Sequence, residues 1–72
     1  MKTILITTEY IKLQDLLKFA AAVSTGGEAK LVIADGAVTV NGAVCTQRGK
    51  KIRPGDVVGY RGGELTVAYA DQ

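Results

Sequence analysis

The dipeptide Asn41-Gly42 constrains the fold most strongly, because it stands between two short runs of apolar and β-branched residues. A two-residue hairpin turn needs a positive φ at both central positions, and Asn and Gly tolerate it. The pattern predicts that Val38-Thr39-Val40 pairs with Ala43-Val44-Cys45. Cys45 then lies on the same face as Val38, which makes it a small core residue rather than a nucleophile.

A short capped helix precedes this hairpin. Thr25 and Glu28 have the spacing of a capping box, in which each side chain accepts a hydrogen bond from a backbone amide at the helix start. Gly36 can adopt the left-handed conformation that commonly follows a helix. We therefore expect a helix from about Gly27 to Asp35.

A strand and another helix are predicted further upstream. Residues 2–8 are rich in Ile and Thr, which favour strands. The next pattern is an amphipathic helix whose apolar residues recur at helical spacing. Its predicted apolar face consists of Leu13, Leu16, Leu17 and Ala20, widened by Phe19 and Val23, and its predicted end is Val23 or Ser24.

The C-terminal part is predicted to be a second hairpin. Pro54-Gly55-Asp56 is typical of a turn. Val57 to Tyr60 and Leu65 to Tyr69 are predicted strands, joined by residues 61–64. The expected fold class is α+β, with a pair of helices on one face of a small, mainly antiparallel sheet of four or five strands.

Composition limits the class of protein. With 72 residues the chain is expected to form one domain, and its 47% hydrophobic content favours a folded one. A single cysteine cannot form an internal disulfide, which favours the cytoplasm. No apolar run approaches the length of a membrane span, so no membrane association is expected.

The charge distribution is more informative than the net charge of +2. Residues 46–54 contain four of the nine Lys and Arg residues and no acid. We call residues 48–53 the basic segment; its cations are Arg48, Lys50, Lys51 and Arg53. A cationic loop on a compact domain is typical of a site for an anion, and our interpretation is RNA. The alternative is a solvated loop that aids solubility.

The order of these motifs resembles the S-four RNA-binding domain, named after the fourth protein of the small ribosomal subunit. The resemblance covers residues 12–58 and includes G-E-A-K-x-x-I-A-D-G, V-T-V-N-G and I-R-P-G-D-V-V. The added strand at 2–8 and hairpin at 57–69 are similar to the small stand-alone bacterial members. The resemblance implies the αL RNA-binding motif and a non-catalytic protein that holds structured RNA. Ribosomal RNA or a ribosome-assembly intermediate is the expected partner.

When the family's RNA-contacting positions are transferred to this sequence, the resemblance implies a second contact region at the start of the second helix. It would comprise Thr25, Gly26, Gly27 and Lys30, in addition to the basic segment. The amides of the two glycines could approach a phosphate closely; alternatively, they only form a tight corner between helices. Many members have basic residues where this chain has Gly26, Leu31, Ala34 and Ala37. Leu31, or an edge of the sheet, is therefore a candidate contact for a protein partner.

Two other classes of function compete with RNA binding. One is a small protein adaptor or a β-grasp-like carrier, but such carriers need a C-terminal Gly-Gly and this chain ends Tyr69-Ala70-Asp71-Gln72. The other is an enzyme. Histidine is absent, and there is neither a phosphate-binding loop motif nor a cysteine pair that suits a metal. We expect no catalytic residue, cofactor or metal.

Overall fold

The computed structural model describes residues 2–70 and consists, within them, of seven strands and two helices. The strands are β1 (Lys2–Ile6), β2 (Ile11–Lys12), β3 (Val38–Val40), β4 (Ala43–Val44), β5 (Lys51–Ile52), β6 (Val57–Tyr60) and β7 (Gly63–Tyr69). The helices are α1 (Leu13–Phe19) and α2 (Gly26–Ala34), which lie between β2 and β3 in the chain.

The main sheet has five strands in the order β1-β7-β6-β3-β4. All its neighbouring strands are antiparallel except β1 and β7, which run parallel. β2 and β5 form a separate antiparallel pair. The predicted fold class, α+β with a mainly antiparallel sheet, is confirmed.

The helices and the sheet share a single hydrophobic core. Leu13, Leu16 and Leu17 are fully buried, as the helical spacing predicts, and Ala20 is nearly so. From the sheet, the core receives Ile4, Ile6, Val38, Val40, Val58 and Val67. The prediction for Phe19 is wrong, because its side chain is 67% exposed on the solvent side of α1.

The first predicted hairpin is confirmed in turn type and register. Asn41 and Gly42 have φ values of 52° and 87°. Val40 pairs with Ala43, and the amide of Cys45 donates to the carbonyl of Val38 at 3.0 Å. Cys45 is half-buried and packs against the core.

The capping box of α2 is also confirmed. Thr25 Oγ1 accepts a hydrogen bond from the Glu28 amide at 3.1 Å. Glu28 Oε1 accepts in return from the amide of Ser24, at 2.9 Å, rather than from Thr25 itself. The helix begins at Gly26 and ends at Ala34, so each end lies one residue earlier than predicted.

Gly36 ends α2 through a Schellman motif. Its φ is 78°, and its amide donates to Ile33 at 3.1 Å. The amide of Ala37 donates to Val32, also at 3.1 Å, which completes the motif.

The same motif ends α1, four residues before the predicted Val23. Ala21 has φ 58°, and its amide donates to the Lys18 carbonyl at 3.0 Å. The amide of Ala22 donates to Leu17 at 2.9 Å. An L-residue in this left-handed position is strained. The predicted end was wrong because the terminating residue is an alanine, and no glycine marks the end in the sequence.

The strands also differ from the sequence-based expectation. β1 ends at Ile6, two residues before the predicted end. The second hairpin has a two-residue turn, Arg61-Gly62, because Tyr60 pairs with Gly63. β2 and β5 were not predicted, since a two-residue strand has no recognisable periodicity. Neither helix in the described residues is long and apolar enough to cross a membrane.

The left-handed residues that end the two helices, Ala21 and Gly36, provide a reciprocal test of the backbone strain at Ala21. We expect Ala21→Gly to raise the free energy of unfolding by about 1 kcal/mol, because the left-handed conformation costs an L-residue roughly 1–2 kcal/mol. Gly36→Ala should lower it by a similar amount. Urea denaturation followed by circular dichroism measures both changes. Shifts in the same direction would contradict the assignment of the two motifs.

Candidate nucleic-acid interface

The backbone of the basic segment is attached to the start of α1. The amide of Leu13 donates to the carbonyl of Lys50 at 2.9 Å, and the amide of Gln14 donates to the carbonyl of Arg48 at 3.1 Å. The first amides of a helix have no partner within the helix, so they are available for such contacts. The main chain and the buried side chain of Ile52 therefore hold the segment, and its Lys and Arg side chains are left to face solvent.

The cations of the basic segment are all exposed, and β2 brings another cation, Lys12, beside them. Lys51 in β5 pairs directly with Lys12 in β2. Like charges on directly opposite residues are destabilising. Lys51 Nζ also lies 5.0 Å from the centroid of the half-buried Tyr10 ring, a cation–π contact. The fold thus concentrates positive charge here, as expected for a surface that binds anions.

A side-chain bridge joins the hairpin tip to the turn after the basic segment. Asn41 Nδ2 donates to Asp56 Oδ1 at 3.1 Å, and Asn41 Oδ1 accepts from the Val57 amide at 2.9 Å. Asp56 Oδ2 accepts from the Arg53 amide at 2.8 Å. The Asp56 carboxylate therefore links the hairpin tip to the backbone of the basic segment, which fixes the separation between the two.

The same contacts lower the pKa of the Asp56 carboxyl. The hydrogen bond from the Arg53 amide is the largest cause, while partial burial acts in the opposite direction. The hydrogen bond from Asn41 and the positive charges of Lys50 and Arg53 lower the pKa further. Asp56 thus remains ionised at neutral pH.

A groove of about 730 Å³ separates the hairpin from the basic segment. Val40, Asn41 and residues 43–47 contribute to one wall, and the other is lined by Lys50, Lys51, Arg53, Pro54 and Asp56. The groove is open to solvent and has cations along one side. Its chemistry suits an extended anionic chain more than a small apolar ligand.

The predicted contacts on α2 lie beside the other end of α1. Thr25, Gly26, Gly27 and Lys30 are all exposed. A Cβ placed on Gly26 would lie 3.9 Å from Lys18 Cδ, in the last turn of α1. The basic segment contacts the first turn of α1, through the amides of Leu13 and Gln14. α1 has seven residues, so about 10 Å of helix separates the two regions.

The structure thus brings Lys50, Lys51 and Arg53 together along the groove, places the exposed Arg48 beside the start of α1 through its carbonyl, and leaves the α2 residues as a separate region. It adds Lys12, Lys18, Asn41 and Asp56 to the surroundings of the two regions. Spacing along the chain contains no signal for Lys12 or Lys18, because their neighbours are distant in sequence. Asn41 and Asp56 were recognised only as turn residues.

Comparison with known proteins identifies the family of this protein. The S4 domain family matches residues 4–68, and the chain belongs to this family. The resemblance noted in the sequence is therefore confirmed.

Two relatives are similar over most of their length. The chain is 40% identical over 58 residues to "Putative RNA-binding protein YbcJ" from Escherichia coli strain K12, covering 81% of this chain and 83% of the relative. It is 41% identical over 57 residues to "Probable ribosome maturation protein RlbA" from Bacillus subtilis strain 168, covering 79% and 80%.

Solved structures agree with the fold. The solution structure of E. coli YbcJ, described as revealing an αL motif involved in RNA binding, matches with a TM-score of 0.73 and 36% identity over 94% of this chain and 87% of that one. Ribosomal protein S4e from Thermoplasma acidophilum matches with a TM-score of 0.68 and 24% identity over 92% of this chain and 35% of that one. The S4e likeness concerns the fold alone.

The lowered pKa of Asp56 predicts a pH-dependent contribution to stability. A carboxyl whose pKa is lower in the folded state stabilises the fold above its unfolded pKa of roughly 3.9, and this contribution is lost as the pH falls through the folded pKa. Asp56→Asn should therefore destabilise the protein at pH 7, with a difference from wild type that shrinks below pH 4. Urea denaturation across pH measures it.

Glu9→Gln is the matched control, because it removes one exposed carboxylate far along the chain from the bridge. A stability difference for Asp56→Asn that is the same at pH 7 and pH 3 would contradict an ionic role for this carboxylate.

Proposed function

We propose that this protein is a non-catalytic RNA-binding protein that holds structured RNA along the basic segment and the adjoining groove. The attachment of the segment to α1 and to Asp56 carries the proposal, because it presents four exposed cations on a fixed backbone. The names of the E. coli and B. subtilis relatives support it.

Binding would occur mainly through phosphates. Double-stranded RNA is recognised largely by its shape, its phosphates and its 2′-hydroxyls, for which a row of exposed Lys and Arg side chains is suited. The cations along one wall of the groove would contact one RNA strand. Because Asn41 and Asp56 are occupied by each other and by backbone groups, we assign them to positioning rather than to base recognition.

The expected partner is ribosomal RNA or a ribosome-assembly intermediate. The B. subtilis relative is named a probable ribosome maturation protein, which favours this class over messenger or transfer RNA. The proposal further takes residues 1–72 as one RNA-binding domain acting in the cytoplasm. The single unpaired cysteine, Cys45, is compatible with that reducing compartment.

Salt dependence tests the role of the basic segment. Four phosphate contacts contribute about −3 to −4 to the slope of log K against log salt, at roughly 0.7–0.9 per neutralised phosphate. Replacing Arg48, Lys50, Lys51 and Arg53 together by Ala should remove that part of the slope. Filter binding to a structured ribosomal RNA fragment across a salt series measures it.

A charge-matched pair of double variants controls for the loss of net charge. Lys50→Ala with Lys51→Ala removes two cations from the groove, whereas Lys2→Ala with Arg61→Ala removes two from elsewhere. We expect only the first pair to flatten the slope, by about 1.5. Equal slopes for both pairs would refute a specific role for the segment.

The region beside the last turn of α1 is proposed as a second contact. It comprises the start of α2, where Gly26 and Gly27 are exposed, together with Lys30 and the neighbouring Lys18. The spacing of about 10 Å along α1 would let one RNA helix contact both regions.

Single substitutions test the second contact. Lys18→Ala and Lys30→Ala should each reduce the salt slope by about 0.7–0.9, the value for one lost phosphate contact. Arg61→Ala, in the turn between β6 and β7, is the control and should leave the slope unchanged. If Lys30→Ala behaves like Arg61→Ala, the second helix lies outside the interface.

A protein partner is the second candidate, favoured by one observation. Leu31 on α2 is 71% exposed, and it stands where many family members have a basic residue. Co-purification with and without ribonuclease separates the two candidates. A partner retained after ribonuclease treatment but lost from Leu31→Lys would support the protein adaptor.

A further inference from the structure

The ring of Tyr10 contacts the basic segment through the ammonium group of Lys51. Lys51 Nζ lies 5.0 Å from the ring centroid, and the ring itself is half-buried. Lys51 also lines the groove, whereas Tyr10 is not part of the groove lining that the described residues form. Tyr10 therefore reaches the candidate interface through the Lys51 side chain.

The backbone that carries the Tyr10 ring is held in place. Tyr10 directly precedes β2, and the next residue, Ile11, pairs with Ile52 in β5. Ile52 is fully buried and Ile11 packs against the core, so the inner face of this strand pair is anchored. Thr8 Oγ1 also donates to the Tyr10 carbonyl at 2.8 Å. The ring thus has a fixed position, whereas the flexible four-carbon side chain of Lys51 needs a contact to hold it.

The opposing charge of Lys12 makes such a contact necessary. Directly opposite residues share one face of a strand pair, so Lys12 and Lys51 both point outward while Ile11 and Ile52 point inward. Their Cβ atoms are roughly 4.5–5.5 Å apart. Repulsion between the two ammonium groups favours conformations in which Lys51 moves away from β2. The attraction of the Tyr10 ring, two residues before Lys12, acts in the opposite direction.

We propose that Tyr10 is a positioning residue for RNA binding: its ring holds the Lys51 ammonium at the groove without contacting RNA itself. This proposal rests on the proposed RNA-binding function. A lysine ammonium has three N–H donors, so Lys51 can keep its ring contact and also donate to a phosphate. Because the side chain is already held in the free protein, less side-chain entropy is lost when RNA binds.

A double-mutant cycle between Tyr10→Leu and Lys51→Ala tests the proposal. Binding to a structured ribosomal RNA fragment is measured across a salt series. Tyr10→Leu should weaken binding about two- to fivefold, the range that corresponds to an exposed cation–π contact. The salt slope should stay unchanged, because Tyr10 itself neutralises no phosphate. In the Lys51→Ala background, Tyr10→Leu should have no effect on affinity, because the ammonium that the ring positions is absent.

Two further variants control for the ring and for the loss of a tyrosine. Tyr10→Phe keeps the aromatic face and should bind RNA like wild type. Tyr69→Leu removes a 56% exposed tyrosine from β7 and should also bind like wild type. A Tyr10→Leu effect that persists undiminished in the Lys51→Ala background overturns the proposal, because the ring then acts on RNA or on the fold directly. Wild-type affinity of Tyr10→Leu, or weakened binding by Tyr10→Phe, overturns it as well.

NMR of the free protein separates a failure of this proposal from a failure of the proposed function. An aromatic ring shifts protons above its face upfield. The Hε protons of Lys51 should therefore move downfield in Tyr10→Leu and keep their wild-type shift in Tyr10→Phe. Unchanged Lys51 shifts in Tyr10→Leu overturn the positioning contact even where the protein binds RNA. If the shifts change as expected but wild type binds no structured RNA, the proposed function fails and the positioning role fails with it.

Discussion

The position of the candidate interface depends on the carboxylate of Asp56. One of its oxygens accepts from the hairpin tip at Asn41, and the other accepts from the backbone of Arg53. A single group thereby sets the distance between the two walls of the groove. Its negative charge also lies among Lys50 and Arg53, where it offsets part of their mutual repulsion. The Asp56 carboxylate accepts its hydrogen bonds from the Asn41 side chain and the Arg53 backbone amide. The Lys and Arg side chains of the segment are not used for these bonds and remain exposed.

Features determined by neighbouring residues were predictable from the sequence. The turn at Asn41-Gly42, the cap at Thr25 and the end of α2 at Gly36 each depend on contacts within a few residues. The apolar stripe of α1 and the clustering of cations in the basic segment are likewise visible along the chain. These local signals were sufficient for the fold class, and with the order of motifs they were sufficient for the family.

Features that depend on distant contacts were not predictable. The pairing of Lys12 with Lys51 arises from two strands of two residues each, which are too short to show a period. The early end of α1 depends on Ala21 adopting a conformation that alanine disfavours, so nothing in the sequence marks it. That end determines where Lys18 and the start of α2 lie, and hence the separation of the two candidate contact regions.

The attachment of the basic segment through carbonyl groups has a consequence for sequence variation. Leu13 and Gln14 hold the segment by bonding to the main chain of Lys50 and Arg48, and every residue type supplies the same carbonyl. The side chains at these positions can therefore change without loss of the loop conformation. A domain built in this way can diversify its ligand preference while its folding stability stays nearly constant, which also makes these positions suitable for randomisation in a binding library.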